Sequence, residues 1–131
     1  MRVGLFAAAF AVGLQSLVQA QDVHAVQGLF CNTRNQIDRA VGHMVAGLDP
    51  RQAAELENVE SVACVYADKV AYLVTTPFIV GEGSVRGPGA IYEAILVGVL
   101  VGNTVRPVAP PVTIFFVTHR RLEGAVSKGN V

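Results

Sequence analysis

The sequence has no tryptophan, only two cysteines and few charged side chains, and its charges of the two signs balance. Charged residues make up 15% of the 131 residues, with ten Lys and Arg against ten Asp and Glu. A nucleic-acid-binding protein normally has a basic excess or patch, and membrane-surface proteins or acidic tails need runs of one sign. We therefore predict no nucleic-acid partner. With 52% hydrophobic residues, the chain is too apolar to be disordered and suits one folded domain.

The N-terminus has an apolar run that is too short to cross a membrane. Arg2 precedes the apolar stretch 3–14, and Val18-Gln19-Ala20 follows with a small last residue. A bilayer core of about 30 Å needs about 20 apolar residues, whereas this shorter pattern is typical of a cleaved signal peptide. We predict a signal peptide at 1–20, a periplasmic or secreted protein, and no stable membrane insertion after cleavage.

The two cysteines, Cys31 and Cys64, are too far apart in sequence for a redox or zinc motif. A thioredoxin-type dithiol needs C-x-x-C, and a zinc site needs four ligands at short spacings, which the three histidines do not supply. In an oxidising compartment the pair favours a structural disulfide over free thiols or a redox or metal role. We predict no metal site and no cofactor.

Two helices are predicted near the N-terminus of the mature chain. Thr33 and Gln36 have the spacing of a capping box, and Gly47 is a plausible end of the helix. Asp49 with Pro50 and Gln52 predicts a second, shorter helix to about residue 58. The apolar residues after Thr33 recur at helical spacing and predict one buried face, which comprises Ile37, Ala40, Val41, Met44, Val45 and Leu48.

The second half of the chain is rich in valine and aromatic residues and predicts strands. We expect strands at 62–66 and 70–80, joined around 67–69, with Pro77 at a sheet edge or bulge. A glycine-rich loop at 81–89 leads to a long central strand at 91–101, with Gly98 as a bulge or bend. The proline-broken segment 105–111 cannot form a regular central strand, and 112–118 is the last strand. Phe115 and Phe116 must point to opposite faces.

This order of elements predicts an α+β fold. One or two N-terminal helices pack on a curled antiparallel sheet, or on a small open SH3-like barrel, of four to five strands. The predicted organisation is a signal peptide at 1–20 and an N-terminal arm or short edge strand at 21–30. A single domain at 31–122 and a flexible tail at 123–131 follow.

No sequence motif specifies a catalytic or phosphate-binding site. Gly81-x-Gly83 begins a dinucleotide pattern, but Arg86 occupies the place of its third glycine, and no P-loop, G-x-S-x-G elbow or calcium loop occurs. The glycine loop is best interpreted as a flexible connection. The alternative is a ligand-contacting loop in which Arg86 donates to an anion.

Three histidines and one acidic residue remain as candidates. His24, His43 and His119 are scattered, and nothing in the sequence fixes a nucleophile beside any of them, so we predict no catalytic residue. Glu93 interrupts the apolar run of the long strand. It is either an outward-facing residue or partner of an arginine such as Arg106, or a carboxylate that lines a groove. Arg86, Glu93 and Arg106 are the candidate binding residues.

The mature chain resembles a group of small exported proteobacterial proteins that have no assigned function. The resemblance rests on Phe30-Cys31-Asn32-Thr33, Ala63-Cys64 and Arg106-Pro107, and it spans most of residues 28–118. It implies a Cys31–Cys64 disulfide and a compact exported domain, and it supplies no catalytic residue. The glycine loop at 81–89 does not match the pattern of this group.

These observations predict an uncharacterised small exported domain that acts by binding and not as an enzyme. The expected partner is another envelope protein. The expected contact surface is the sheet edge near Pro77 with the glycine loop and the proline-rich segment. One alternative is a small periplasmic hydrolase that uses His43 or His119 with a carboxylate. The other is an inhibitor-like or structural homodimer.

Overall fold

A computed structural model describes residues 23–81, 90–118, 122 and 125–127 of the chain. The predicted signal peptide at 1–20, Arg86 and His119 lie outside the described residues. The elements in chain order are β1 (Val23–Cys31), α1 (Arg34–Val45), α2 (Pro50–Glu57), β2 (Cys64–Thr75), β3 (Phe78–Gly81), β4 (Ile91–Val101), β5 (Thr104–Val117) and β6 (Val126–Ser127). Within the described ranges, no helix is long and apolar enough to cross a membrane.

Both helices begin as the sequence predicts, because each start is encoded within four residues. The Thr33 hydroxyl accepts from the Gln36 backbone N–H at 3.2 Å, and the Gln36 side chain accepts from the Thr33 N–H at 3.0 Å. Asp49 and Gln52 form the same reciprocal pair at the start of α2. Gly47 follows the end of α1 with a φ of 115°, a left-handed conformation that favours glycine. The predicted helices are confirmed.

The predicted apolar face of α1 is confirmed in its middle and is wrong at its end. Four of its residues are buried against the sheet, namely Ile37, Ala40, Val41 and Met44. Val45 is exposed, and Leu48 lies beyond the helix and is only partly covered.

The strands form one sheet in the order β2-β1-β5-β4-β3-β6, in which all neighbours are antiparallel except β3 and β6. β2 also pairs with β4, so that hydrogen-bonded pairing connects β2, β1, β5 and β4 in a ring. Gly28 allows β1 to approach β5 closely, since a Cβ atom there would lie 2.1 Å from the Val117 carbonyl oxygen. With two helices on an antiparallel sheet, the fold is α+β, as predicted.

Each face of the sheet has its own core. The helix-side cluster joins α1 and α2 to the sheet through residues such as Leu29, Ile37, Ala53, Ile91 and Val117. The aromatic cluster lies on the other face and contains Val26, Phe30, Val74, Tyr92, Leu96 and Phe116.

The two adjacent phenylalanines of β5 divide between these cores. Phe116 is fully buried, and its ring centroid lies 4.9 Å from that of Phe30. Phe115 is partly buried and packs against the helix-side cluster. The prediction that the two rings point to opposite faces is confirmed.

The predicted break in the second strand is wrong. Residues 67–69 do not form a turn but continue β2, and Ala67 is buried beside Gly28 of β1. Asp68 and Lys69 resemble turn residues in the sequence, but they are exposed, which a strand tolerates on its solvent side. The strand ends instead at Thr75, and β3 begins after the break at 76–77.

The prolines do not end the last long strand either. β5 runs from Thr104 through Pro107, Pro110 and Pro111 to Val117, although the prediction began the strand at 112. The pairing with β4 skips from Gly98–Pro107 to Leu96–Val112, so residues 108–111 bulge out of the ladder. Over this stretch β5 pairs only with β4, and an edge position tolerates residues that lack an N–H. The predicted strand 91–101 and its bulge next to Gly98 are confirmed.

Three further expectations concern the N-terminal arm, Pro77 and the C-terminal tail. Of the predicted arm or edge strand, the described residues 23–30 belong to β1, which pairs with β2 and from Leu29 also with β5; they form no arm, and only the first part of β1 has a single described neighbour. Pro77, predicted at a sheet edge or bulge, lies in the break between β2 and β3, and its side chain is fully buried. The predicted flexible tail contains β6, which pairs with β3.

Candidate functional site

A buried carboxylate lies where α1 and α2 meet. Glu57 ends α2, and only 6% of its side chain is exposed. The Arg39 Nε donates to Glu57 Oε1 at 2.9 Å, and His43 Nε2 lies 3.6 Å from Glu57 Oε2. Arg39 and His43 are four residues apart on α1, so they lie on the same helix face, one turn apart. The two basic groups therefore hold one carboxylate between the helices.

The loop after α2 is shaped by Asn58. Its Oδ1 accepts from the backbone N–H groups of Ala63 and Cys64 at 2.7 and 2.8 Å, and its Nδ2 donates to the Cys64 carbonyl at 2.9 Å. These bonds close the loop at its base, next to the disulfide, and leave its tip at residues 59–62 on the surface. Sequence reasoning missed Asn58. Its only signal is an asparagine just after the last helical residue, a pattern with many structural outcomes.

A cavity of about 370 Å³ opens beside this cluster. Its polar groups are the side chains of Gln36, Arg39, Glu57, Glu60 and Ser61, and its apolar groups include Leu56 and Val59. This volume lies near the lower end of the range for small-ligand sites. The cavity is more polar than such sites usually are.

Three large apolar side chains at the end of α2 and in the loop after it are exposed, and two of them, Leu56 and Val59, line the cavity. Leu56 is 50% exposed, Val59 82% and Val62 68%, and they lie within seven residues of one another along the chain. We call Leu56, Val59 and Val62 the apolar rim. Single exposed apolar residues are ordinary, but a group beside a cavity is typical of a contact surface.

The two carboxylates that line the cavity differ in their ion pairs. Glu57 has both Arg39 and His43 as neighbours, whereas Glu60, which also lines the cavity, forms no ion pair within the part of the chain that the structure describes. The cavity therefore presents one compensated carboxylate and one that is open to a cationic partner.

Catalysis would need a nucleophile within hydrogen-bond reach of a base. His43 contacts the Glu57 carboxylate, with its Nε2 at 3.6 Å from Oε2. Ser61 lines the cavity, but His43 does not. Over the described ranges, no three His, Cys, Asp or Glu side chains converge into a metal-binding group. Gln36 and Arg39 present hydrogen-bond donors to the cavity, and Glu60 presents an acceptor.

The predicted binding residues do not form this site. Glu93 of β4 lies opposite Phe115 and Phe78, whereas Arg106 of β5 lies opposite Val99. Six residues of a strand span roughly 20 Å, so the register does not bring Arg106 to Glu93. Arg86 cannot be placed, as it lies outside the described residues.

The histidine candidates have separate environments. His24 lies in β1 opposite Val74, and its Nε2 is buried without a hydrogen-bond partner among the described residues. Of the two described histidines, His43 is the one paired with a carboxylate, that of Glu57, and His119 is outside the described residues. The predicted disulfide is confirmed, since Cys31 and Cys64 are bonded and directly opposite each other on β1 and β2.

Comparison with known protein families, curated proteins and solved structures finds no match. A functional proposal for this chain therefore rests on its own geometry.

Proposed function

We propose that the chain is a small exported protein of the cell envelope that acts by binding a partner polypeptide and not by catalysis. The binding surface is the α1–α2 cavity with its apolar rim. Export is supported by the N-terminal sequence pattern and by the disulfide, which persists in oxidising compartments. Periplasmic or secreted localisation is part of this proposal.

The observation that carries the proposal is the exposure of the apolar rim. Leu56, Val59 and Val62 are each at least half exposed; the first two line the cavity, and Val62 follows the lining residue Ser61 in the chain. Burial of one such side chain contributes about 1.5–3 kcal/mol, so a partner that covers all three gains a substantial hydrophobic contribution. Covering these three side chains therefore favours a complex over the free protein.

The charges around the cavity define the chemistry of the partner. Glu60 is open to a cation, whereas the charge of Glu57 is compensated by Arg39. The partner is therefore a polypeptide segment that places an aliphatic or aromatic side chain in the cavity and a Lys or Arg beside Glu60. Complementary charge then fixes orientation more than it adds affinity.

The finer architecture belongs to the same proposal. We infer a small SH3-like barrel, supported by the pairing of β2 with both β1 and β4. Pairing of this kind covers part of the strand edges and leaves loops, helices and the remaining edges to make contacts.

Site-specific photo-crosslinking tests the binding surface. A photoreactive phenylalanine analogue replaces Val59 in the full chain in its host cell, and Val105, an exposed valine of β5, is the matched control. The proposal predicts a discrete adduct from position 59, none from position 105, and loss of the adduct with Glu60→Lys. Equal labelling from both positions, or an adduct that Glu60→Lys leaves unchanged, contradicts it.

A hydrolase is the second candidate, because His43 lies 3.6 Å from Glu57 beside a cavity that Ser61 lines. The purified protein is tested against chromogenic ester and peptide substrates. If the protein turns over one of these substrates, and both His43→Ala and Ser61→Ala abolish that turnover, a hydrolase function replaces the binding proposal.

The homodimer alternative is tested by light scattering. If the protein is a dimer and Val59→Asp dissociates it, the partner is a second copy of the chain.

A further inference from the structure

The outer edge of β3 is occupied by a very short strand of the same chain. β3 pairs with β4 on one side and with β6 on the other, where Phe78 lies opposite Val126 and Ile79 opposite Ser127. β6 has two residues and runs parallel to β3. Parallel pairing is slightly less stable per residue than antiparallel pairing, so this strand is held weakly by its own ladder.

The other open edges of the sheet carry features that discourage strand addition. β5 has three prolines in the stretch that pairs only with β4. β2 has the charged Asp68 and Lys69 where its ladder with β1 is interrupted between Ala67 and Tyr72, and Asp68 forms an ion pair with Arg51 of α2. Prolines and charges are the usual means by which edges avoid pairing with another chain.

β3 has neither a proline nor a charge. Its sequence is Phe-Ile-Val-Gly, and Phe78 is 40% exposed. This edge is therefore suited to accept a strand, and a segment of the chain itself is placed on it.

Residues just before β6 fix the segment to the aromatic cluster. The Leu122 backbone N–H donates to the Tyr92 hydroxyl at 2.6 Å, and Tyr92 is fully buried. Leu122 and Ala125 pack against the aromatic cluster. Residues 122 and 125–127, which we call the C-terminal segment, thus combine one specific hydrogen bond, two apolar contacts and a short backbone ladder.

We propose that the β3 edge is a strand-acceptor site for an extended segment of a partner protein, and that the C-terminal segment is the resident ligand that competes for it. The contacts of the C-terminal segment define the chemistry that the partner segment needs. The partner segment runs parallel to β3, presents an aliphatic residue with a free N–H to the Tyr92 hydroxyl, and places a small residue three positions later. Backbone hydrogen bonds supply affinity in this mode of recognition, and the anchor residues supply specificity. The site is independent of the α1–α2 cavity.

The test uses a fluorescent synthetic peptide with the sequence of residues 119–131 as the probe. The full chain is compared with its Val126→Pro variant, in which the resident strand loses a backbone donor. The proposal predicts that the variant binds the peptide at least tenfold more tightly than the unmodified chain does. A peptide with the same proline should bind the variant at least tenfold more weakly.

Amide chemical shifts locate the bound peptide. The expected changes lie at residues 78–81 and around Tyr92, and Tyr92→Phe in the Val126→Pro background should weaken binding several-fold. Circular dichroism checks that each variant is folded. Ser127→Pro is measured in parallel, because successive N–H groups of a strand point to opposite sides and only one of the two paired residues of β6 donates to β3; the larger of the two effects is compared with the prediction.

Three results overturn the proposal. The first is equal peptide affinity for the unmodified chain and the variant. The second is a set of shifts confined to residues outside β3 and the aromatic cluster, such as those of the apolar rim. The third is a dimer of the unmodified chain that Val126→Pro converts to a monomer, because the occupant is then a second copy.

Discussion

Breaking the Cys31–Cys64 bond should lower the free energy of unfolding by a large fraction of its total. The two residues are 33 positions apart. In the chain-entropy model, a cross-link that closes a loop of this length restricts the unfolded chain by about 12.5 cal/mol/K, or about 3.7 kcal/mol at 25 °C. A small domain has a total stability of about 5–15 kcal/mol, so the reduced protein should be marginally stable.

The structure separates this effect from loss of packing. Both sulfur-bearing side chains are buried and lie opposite each other on β1 and β2, so the reduced thiols can keep their places in the helix-side cluster. The closed loop contains α1 and α2 entirely. Reduction should therefore act mainly by freeing the unfolded chain, and hydrogen exchange should increase most in the two helices.

The assay is urea unfolding of three forms: the oxidised protein, the reduced protein, and the Cys31→Ala/Cys64→Ala variant. We expect the reduced protein to unfold at lower urea with a larger m-value, because its unfolded state exposes more surface. In thermal unfolding, Tm should fall by about 15–20 °C. The alanine variant should lie within about 1–2 kcal/mol of the reduced protein, since only the two sulfur atoms differ.

Two results would refute this reasoning. If oxidised and reduced proteins differ by less than about 1 kcal/mol, the entropic effect on the unfolded chain is not the source of stability. If the alanine variant is far less stable than the reduced protein, the sulfur atoms act through packing and not through the cross-link.

Three further predictions concern single side chains. Gly28→Ala should destabilise the protein by about 3 kcal/mol or more, because its Cβ would lie 2.1 Å from a carbonyl oxygen of β5, whereas Gly42→Ala, with open space around it in α1, should stabilise by about 0.5–1 kcal/mol. Urea unfolding compares the two, and a loss at Gly42 equal to that at Gly28 would contradict the close approach. Burial raises the pKa of Tyr72, so its neutral phenol stabilises the fold below about pH 10 and this contribution is lost as pH rises through the raised pKa. Tyr72→Phe should flatten the alkaline loss of stability measured between pH 8 and 11, and an unchanged slope argues against this assignment. Glu57→Gln should cost about 1 kcal/mol, since the amide keeps the shape but loses the ion pair to a half-exposed arginine, and the exposed Glu60→Gln is the control that should change thermal stability by less.

Local sequence patterns predicted the helices well because their signals lie within a few residues. The capping boxes at Thr33 and Asp49 are such signals, and so is the apolar spacing from Ile37 to Met44. The strand at 91–101 was also predictable, since a long apolar run with β-branched residues has few other outcomes in a small domain.

The strand predictions failed at residues that usually end a strand but are tolerated where the strand is exposed to solvent. Asp68 resembles a turn residue and Pro110 a strand breaker, but both lie within long strands, at places where the strand bulges out of its ladder. Whether a strand lies at the edge or in the centre of a sheet depends on residues far away in sequence, and no local pattern contains that information.

The candidate site, too, depends on residues that are far apart in the sequence. Arg39 and Glu57 are 18 residues apart, and each alone is an ordinary charged residue on a short amphipathic helix. They form a pair because Asn58 closes the following loop and because α1 and α2 cover the same side of the sheet. Sequence reasoning had selected Glu93 and Arg106, which are conspicuous in their strands but are separated by the register.

The sequence by itself determined the α+β class, the two helices with their starts, and a cysteine pair suited to a disulfide. These features follow from short-range hydrogen bonding, from hydrophobic periodicity and from residue chemistry, all of which act within or between a few residues. Only the tertiary structure decided the ring of strand pairing, the burial of Glu57 and the strand on the β3 edge. Each depends on strand register and on which faces are covered, and these are properties of the assembled chain.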